Sequence, residues 1–208
     1  KYGVELRRTL TGFKFIGEQI GFLEDKGQED RYIFGFEESY GYLAGSYVRD
    51  KDAVVASMLI CEMAAFYRTK GISLIQAREN MYKKYGVYVH SQSSFVCEGV
   101  TGMERMKEIM SDLRTNTPKT IGGLTVTRFE DYLASTSVDT ATGAKTMLTL
   151  PKSDVLTFKL TDGASVIIRP SGTEPKIKAY YTTTGTTKAE AAALEKTISD
   201  DFAKILGF

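Results

Sequence analysis

Between Leu156 and Tyr181 the chain alternates apolar and polar residues with a regularity that an antiparallel sheet accommodates and a helix does not. Leu156, Phe158 and Leu160 alternate with Thr157, Lys159 and Thr161, the two-residue period of a strand with one face in a core. Asp162-Gly163 follows, a dipeptide suited to a tight hairpin turn. Ala164 to Ile168 then returns, and Ile177, Ala179 and Tyr181 alternate once more. Proline has no N–H for a sheet ladder, so Pro170 to Pro175 is predicted to leave the sheet as a loop. The stretch from Arg169 to Lys178 reads Arg-Pro-Ser-Gly-Thr-Glu-Pro-Lys-Ile-Lys. It offers a guanidinium fork (Arg169), two hydroxyls (Ser171, Thr173), a permissive Gly172 and a further cation (Lys178). These groups suit a phosphate dianion. A charged hairpin tip accounts for the same residues.

The first half of the chain has a different rhythm. Tyr2 to Thr9 alternates and predicts a strand. Thr11-Gly12 opens a helix with Phe13, Ile16, Ile20 and Leu23 on one face and Lys14 in its first turn. A cation at a helix start is disfavoured unless an anion is near. Arg31 to Phe36 is a short apolar strand after a helix, as a parallel α/β sheet requires. It ends in Glu37-Glu38-Ser39-Tyr40-Gly41, and ligands collect at the carboxyl ends of such strands. Ala53 to Thr69 predicts a helix apolar nearly all round and therefore buried on most sides. Capping boxes are expected at Ser73/Gln76, Thr101/Glu104 and Thr187/Glu190. The βα rhythm gives way near residue 92. We therefore expect residues 1–92 to be part of a parallel α/β domain. Residues 93–208 then form a small α+β domain, an antiparallel sheet with helices on one face.

Composition excludes several functions. A formal net charge of +1 over 208 residues gives no general attraction to nucleic acid or an anionic membrane. The longest apolar stretch, Ala53 to Phe66, is too short to span a bilayer. Cys61 and Cys97 lack metal-ligand spacing, and reduced thiols in a cytoplasmic protein are expected. Asp50-Lys51-Asp52 is the lone Asp-x-Asp and offers too few ligands for Mg²⁺. The single histidine, His90, is expected in a hydrogen-bonded position. The abrupt opening on Lys1 is expected of a piece of a longer protein.

Four stretches, in order, carry a resemblance over essentially the whole chain: Thr9-Leu-Thr-Gly-Phe-Lys-Phe-Ile16, Phe34-Gly-Phe-Glu-Glu-Ser-Tyr-Gly41, Val48-Arg-Asp-Lys-Asp52 and Arg169-Pro-Ser-Gly-Thr173. Together they resemble the phosphohexomutase superfamily, within it the phosphoglucomutase and phosphomannomutase group. The resemblance implies part of that family's third domain and all of its fourth. It implies Glu37 and Ser39 as sugar-binding residues and Lys14 as a ligand of the substrate. Arg49 and Lys51 fit either substrate contact or plain surface charge. It implies Arg169, Ser171, Gly172, Thr173 and Lys178 as the phosphate-binding loop. The family's phosphoserine and metal loop have no match here, so no catalytic residue and no metal ligand is expected in this chain. Mg²⁺ and a hexose 1,6-bisphosphate activator would belong to the complete enzyme, an isomerase interconverting hexose 1-phosphate and hexose 6-phosphate. The isolated chain is expected to be inactive. Its partners would be hexose phosphates and the enzyme's other domains, with no nucleic acid and no membrane. Where some relatives carry histidine at the end of the sugar loop, this chain has Gly41. The rival expectation is a stand-alone, non-catalytic phosphosugar-binding module.

Overall fold

Gly12, at φ 122°, turns the chain into the first helix of a computed structural model that describes residues 2–99, 101–172 and 174–208. By its internal contacts the chain divides into two units, Lys1–Asn80 and Met81–Phe208.

In the first unit, α1 (Phe13–Glu24) buries Phe13, Gly17 and Ile20. Gly17 lets the helix approach the backbone at Arg49, since a Cβ there would lie 2.3 Å from the Arg49 carbonyl oxygen. β1 (Phe34–Phe36) pairs antiparallel with β2 (Tyr42–Ala44). Glu37 to Gly41 connect them, a link too short for the crossover that parallel pairing requires. This pair is the unit's sheet among the described residues, and the parallel partners expected for β1 are not formed there. The strand expected over Tyr2 to Thr9 is not found either. Those residues carry no regular element, because no neighbouring strand pairs with their N–H and C=O groups.

α2 (Ala53–Thr69) spans the predicted residues, but it has no buried residue. The expectation that it is buried on most sides is overturned. β2 is its packing neighbour in the unit, and Val54, Met58, Ile60, Met63 and Phe66 remain exposed. α3 (Leu74–Tyr85) begins with half of its expected box. Ser73 Oγ accepts from the Gln76 N–H at 3.1 Å, while the Gln76 amide turns instead to Asn80.

The second unit is an eight-stranded sheet in the order β3-β10-β9-β8-β5-β6-β7, with β4 paired to β5. Its strands are β3 (Val87–Val96), β4 (Thr120–Ile121), β5 (Leu124–Asp131), β6 (Thr136–Asp139), β7 (Lys145–Met147), β8 (Leu156–Leu160), β9 (Ser165–Pro170) and β10 (Lys176–Gly185). All their pairings are antiparallel. The division between units falls inside α3, ahead of residue 92, because β3 pairs with β10 along its whole length. Residues 140–144 form the turn between β6 and β7. The predicted hairpin forms with both turn residues at positive φ, Asp162 at 56° and Gly163 at 72°.

α4 (Gly102–Thr115) and α5 (Lys188–Leu206) close one face of this sheet. Met106, Ile109, Met110 and Leu113 of α4 join Ile198, Phe202 and Leu206 of α5 over the odd-numbered residues of β10. Phe202 stands edge-on to Phe158 and Tyr181, ring centroids 5.8 and 6.3 Å away. The capping box at Thr187 and Glu190 is complete and Gly207 ends α5 in the left-handed conformation. The box expected at Thr101 is absent. Its ψ of 4° is not the extended backbone a capping side chain needs, and no side-chain cap forms.

Candidate functional site

β10 is the strand that assembles the phosphate-loop candidates. It pairs with β9 on one side and β3 on the other, so Lys178 stands directly opposite both Arg169 and Ser94. Residues opposite one another in an antiparallel pair share a face. Two hydrogen bonds fix which face. Ser91 of β3 donates to Glu195 of α5. Thr183 of β10 donates to the Ala191 carbonyl of the same helix at 2.7 Å. Odd-numbered positions of both strands therefore meet the helices, and Lys178 and Ser94 lie on the opposite face, with Arg169.

Two cations directly opposite each other repel. Here no carboxylate offsets the repulsion, because among the described residues neither Arg169 nor Lys178 forms an ion pair. Arg169 Nε is in addition buried without a hydrogen-bond partner among the described residues. A buried guanidinium N–H left unmatched is costly unless an acceptor arrives from elsewhere. Lys176 is different, since Glu174 neutralises it.

The loop itself is tightly tied. The Ser171 N–H donates to the Lys176 carbonyl at 2.8 Å, and Ser171 Oγ accepts from the Glu174 N–H at 3.3 Å. Gly172 is exposed, its backbone is not left-handed, and a Cβ would meet nothing within 4 Å. Neither strain nor packing among the described residues requires glycine there. Thr173 lies outside the described residues.

In the first unit, Glu37 stands just past β1, half-buried, with its N–H donating to the Gly41 carbonyl at 3.0 Å. Its side chain folds over Gly41: a Cβ at 41 would lie 2.6 Å from Glu37 Oε1. Glu37 therefore pairs with neither Arg49 nor any other described cation. Ser39 is exposed in the turn, beside Tyr40 at φ 66°. Lys14 is exposed in the first turn of α1, which has no acidic residue, and lies 4.8 Å from the Phe15 ring centre. Arg49 is held within the loop. Its guanidinium donates to Glu24 Oε2 at 2.7 Å and to the Ser46 carbonyl. Lys51 pairs with Asp50 at 3.1 Å. A cavity of ≈ 800 Å³ runs along residues 2–12 and 30–38 and reaches Glu37 and Glu38. Its wall mixes apolar residues (Leu6, Ile33, Phe34) with the cations Arg7, Arg8 and Arg31, and it opens along the flank of β1.

Asp52 caps α2, accepting from the N–H of Val54 and Val55 at 2.8 and 3.1 Å and from the Tyr47 hydroxyl at 2.6 Å. With Asp50 engaged by Lys51, the Asp-x-Asp segment does not fit Mg²⁺. Among the described residues no group of three or more His, Cys, Asp or Glu side chains could hold a metal ion. His90 Nδ1 lies 3.0 Å from Thr182 Oγ1. Both cysteines are free thiols, and burial pushes the Cys97 thiol up, away from a reactive thiolate. No helix among the described residues is long and apolar enough to cross a membrane.

Comparison with known proteins covers both units. Residues 1–85 match the family model of phosphoglucomutase/phosphomannomutase alpha/beta/alpha domain III, and residues 107–200 match that of the phosphoglucomutase/phosphomannomutase C-terminal domain. A phosphoglucomutase of Staphylococcus aureus strain bovine RF122 / ET3-1 is 41% identical over 177 residues, covering 85% of this chain and 31% of that protein. Its counterpart in strain MRSA252 is 40% identical with the same coverage. The chain thus spans about a third of the length of these relatives. The solved open form of the Paramecium exocytosis-sensitive phosphoprotein pp63/parafusin, a phosphoglucomutase, superposes with a TM-score of 0.63 at 20% identity, over 95% of this chain and 33% of that one. That likeness is one of fold.

Proposed function

This chain belongs to the phosphoglucomutase/phosphomannomutase family, matching its domain III and its C-terminal domain, and from that premise we propose that it supplies substrate recognition to a phosphohexomutase. The complete enzyme interconverts hexose 1-phosphate and hexose 6-phosphate by intramolecular phosphoryl transfer through a bisphosphorylated sugar. The phosphoryl donor and Mg²⁺ come from residues outside this chain. Arg169, Lys178 and the loop at Ser171, Gly172 and Thr173 hold the phosphate that is not reacting. Glu37 and Ser39 hold sugar hydroxyls, and Lys14 faces the substrate anion. Arg49, bound to Glu24 and to its own loop, shapes that loop, and Lys51 is surface charge.

The observation that carries the reading is the cation couple, Arg169 opposite Lys178, unpaired among the described residues, with Arg169 Nε lacking an acceptor there. A phosphate dianion offsets the repulsion and provides acceptors that the guanidinium grips at two points. Such a grip is indifferent to the sugar carbon that bears the phosphate. This matters because the sugar must turn over between the two half-reactions. In the complete enzyme, Arg169→Ala is expected to weaken binding of both glucose 1-phosphate and glucose 6-phosphate by about 10- to 100-fold, the worth of charged hydrogen bonds. Weakening of only one of the two would refute a cradle that serves both orientations. Full retention of both would leave the loop as a charged hairpin tip.

A further inference from the structure

We infer that the open sheet face beside the cation pair is a sugar subsite, in which Ser94 and Gln92 of β3 and Tyr180 of β10 hold the hexose of a phosphosugar anchored at Arg169 and Lys178. The inference rests on the phosphate reading above and adds contacts that the loop does not contain.

Register places the parts. Ser94 is opposite Lys178, and Gln92 is opposite Tyr180, one step farther along the same face. That step is two residues of strand, about 7 Å, and neighbouring strands lie about 4.8 Å apart. A sugar whose phosphate sits at the Arg169–Lys178 row therefore meets Ser94 beside it and the Tyr180–Gln92 row next in line. α4 and α5 pack on the other face, so nothing within this unit's two helices covers these residues. Ser94 and Gln92 are exposed, and neither side chain has a hydrogen-bond partner among the described residues. Tyr180 is half-buried.

The chemistry of the row is what sugar hydroxyls require. A hydroxyl and a carboxamide both donate and accept, and the half-buried ring offers an apolar platform for the C–H face of a pyranose. The outward side of β3 carries Tyr88, His90, Gln92, Ser94 and Val96, with no lysine or carboxylate. β3 is nevertheless an edge strand, where charge is the usual guard against pairing with another chain. His90, one row beyond Gln92, is already committed to Thr182, and Ser94 and Gln92 are the hydrogen-bonding side chains of this face of β3 nearest the cations.

The test is kinetic and uses the complete enzyme with Ser94→Ala, Gln92→Ala and, in parallel, Arg169→Ala. Glucose 1-phosphate and glucose 6-phosphate are substrates, and inorganic phosphate is a competing inhibitor. Ser94→Ala and Gln92→Ala are each expected to raise KM for both sugar phosphates about 3- to 10-fold, the worth of a neutral hydrogen bond. Inhibition by inorganic phosphate and the thermal midpoint should not change, because phosphate alone does not reach the sugar contacts. Arg169→Ala should lose the phosphate inhibition. Unchanged KM in both β3 variants, with phosphate inhibition lost in Arg169→Ala, overturns the subsite and leaves the cradle standing. Unchanged phosphate inhibition in Arg169→Ala overturns the cradle, and the subsite with it. A weakened phosphate inhibition in Ser94→Ala also overturns the subsite, since Ser94 would then bind phosphate and not sugar.

Discussion

At the start of α2, the Asp52 carboxylate is held below its ordinary pKa. The Tyr47 hydroxyl contributes most, followed by the Val55 N–H, with a smaller part from the Val54 N–H. A group whose folded pKa is depressed contributes stability that is present above its unfolded pKa and lost as pH falls through the folded one. The Val54 and Val55 amide resonances should therefore titrate with a midpoint below that of an ordinary aspartate, and α2 should fray from its N-terminus over that range. Asp52→Asn keeps a good cap and should abolish the titration. A midpoint at or above the ordinary value would show that the Tyr47 and backbone contacts do not hold in solution. The same residue shows what one position of sequence conveys. In the sequence Asp52 belongs to an Asp-x-Asp too sparse for Mg²⁺, and its partners identify it as a cap. Arg169 is more legible, because its proline-bounded loop is written next to it. Its orphaned Nε and its neighbour Lys178 across the ladder belong to pairing, which no single stretch records.

Capping separates two elements that look alike in sequence. Thr187 and Glu190 satisfy each other's backbone N–H groups at the start of α5, whereas Thr101 with Glu104 gives α4 no side-chain cap. Thr187→Ala is expected to cost about 1 kcal/mol, and Thr101→Ala close to nothing, both measurable by denaturant unfolding of this chain. Equal costs would mean that the two helix starts are built alike. The element scale is also where the sequence was most and least readable. β8, β9 and β10 announce themselves through several alternations and a positive-φ turn. β2, β6 and β7 are three or four residues long, too short for a period to rise above chance, and they were missed. α2 was found at its correct bounds but given the wrong surroundings. An apolar surface states a demand for cover, and it does not state whether a neighbouring element meets it. For the same reason it is the register of β3 against β10, and not the sequence of either strand, that brings Ser94 and Gln92 beside Lys178.

The two units differ in what holds them. In the second unit one contiguous core joins two helices to the inner face of the sheet, with Phe158, Tyr181, Phe202 and Ile198 almost wholly buried. Arg114 binds α4 to Asp131 at 3.1 Å and to Asp154. In the first unit the buried cluster consists of Phe13, Ile20 and Leu43, with Ile16 and Tyr32 against it. Hydrogen-exchange protection follows the buried apolar contacts that must be broken for a segment to open. In this chain the amides of β8, β9 and β10 should exchange orders of magnitude more slowly than those of α2, whose N–H groups are protected by little beyond the helix itself. In proteins most helical stability comes from tertiary packing of a helix face. Comparable protection in α2 and β9 would show that the first unit draws stability from contacts other than its small core. The same measurement on the complete enzyme tests the wider proposal. If residues outside this chain finish the first unit, the exposed Val54, Met58, Met63 and Phe66 become covered, and protection in α2 rises while that of β9 stays where it was.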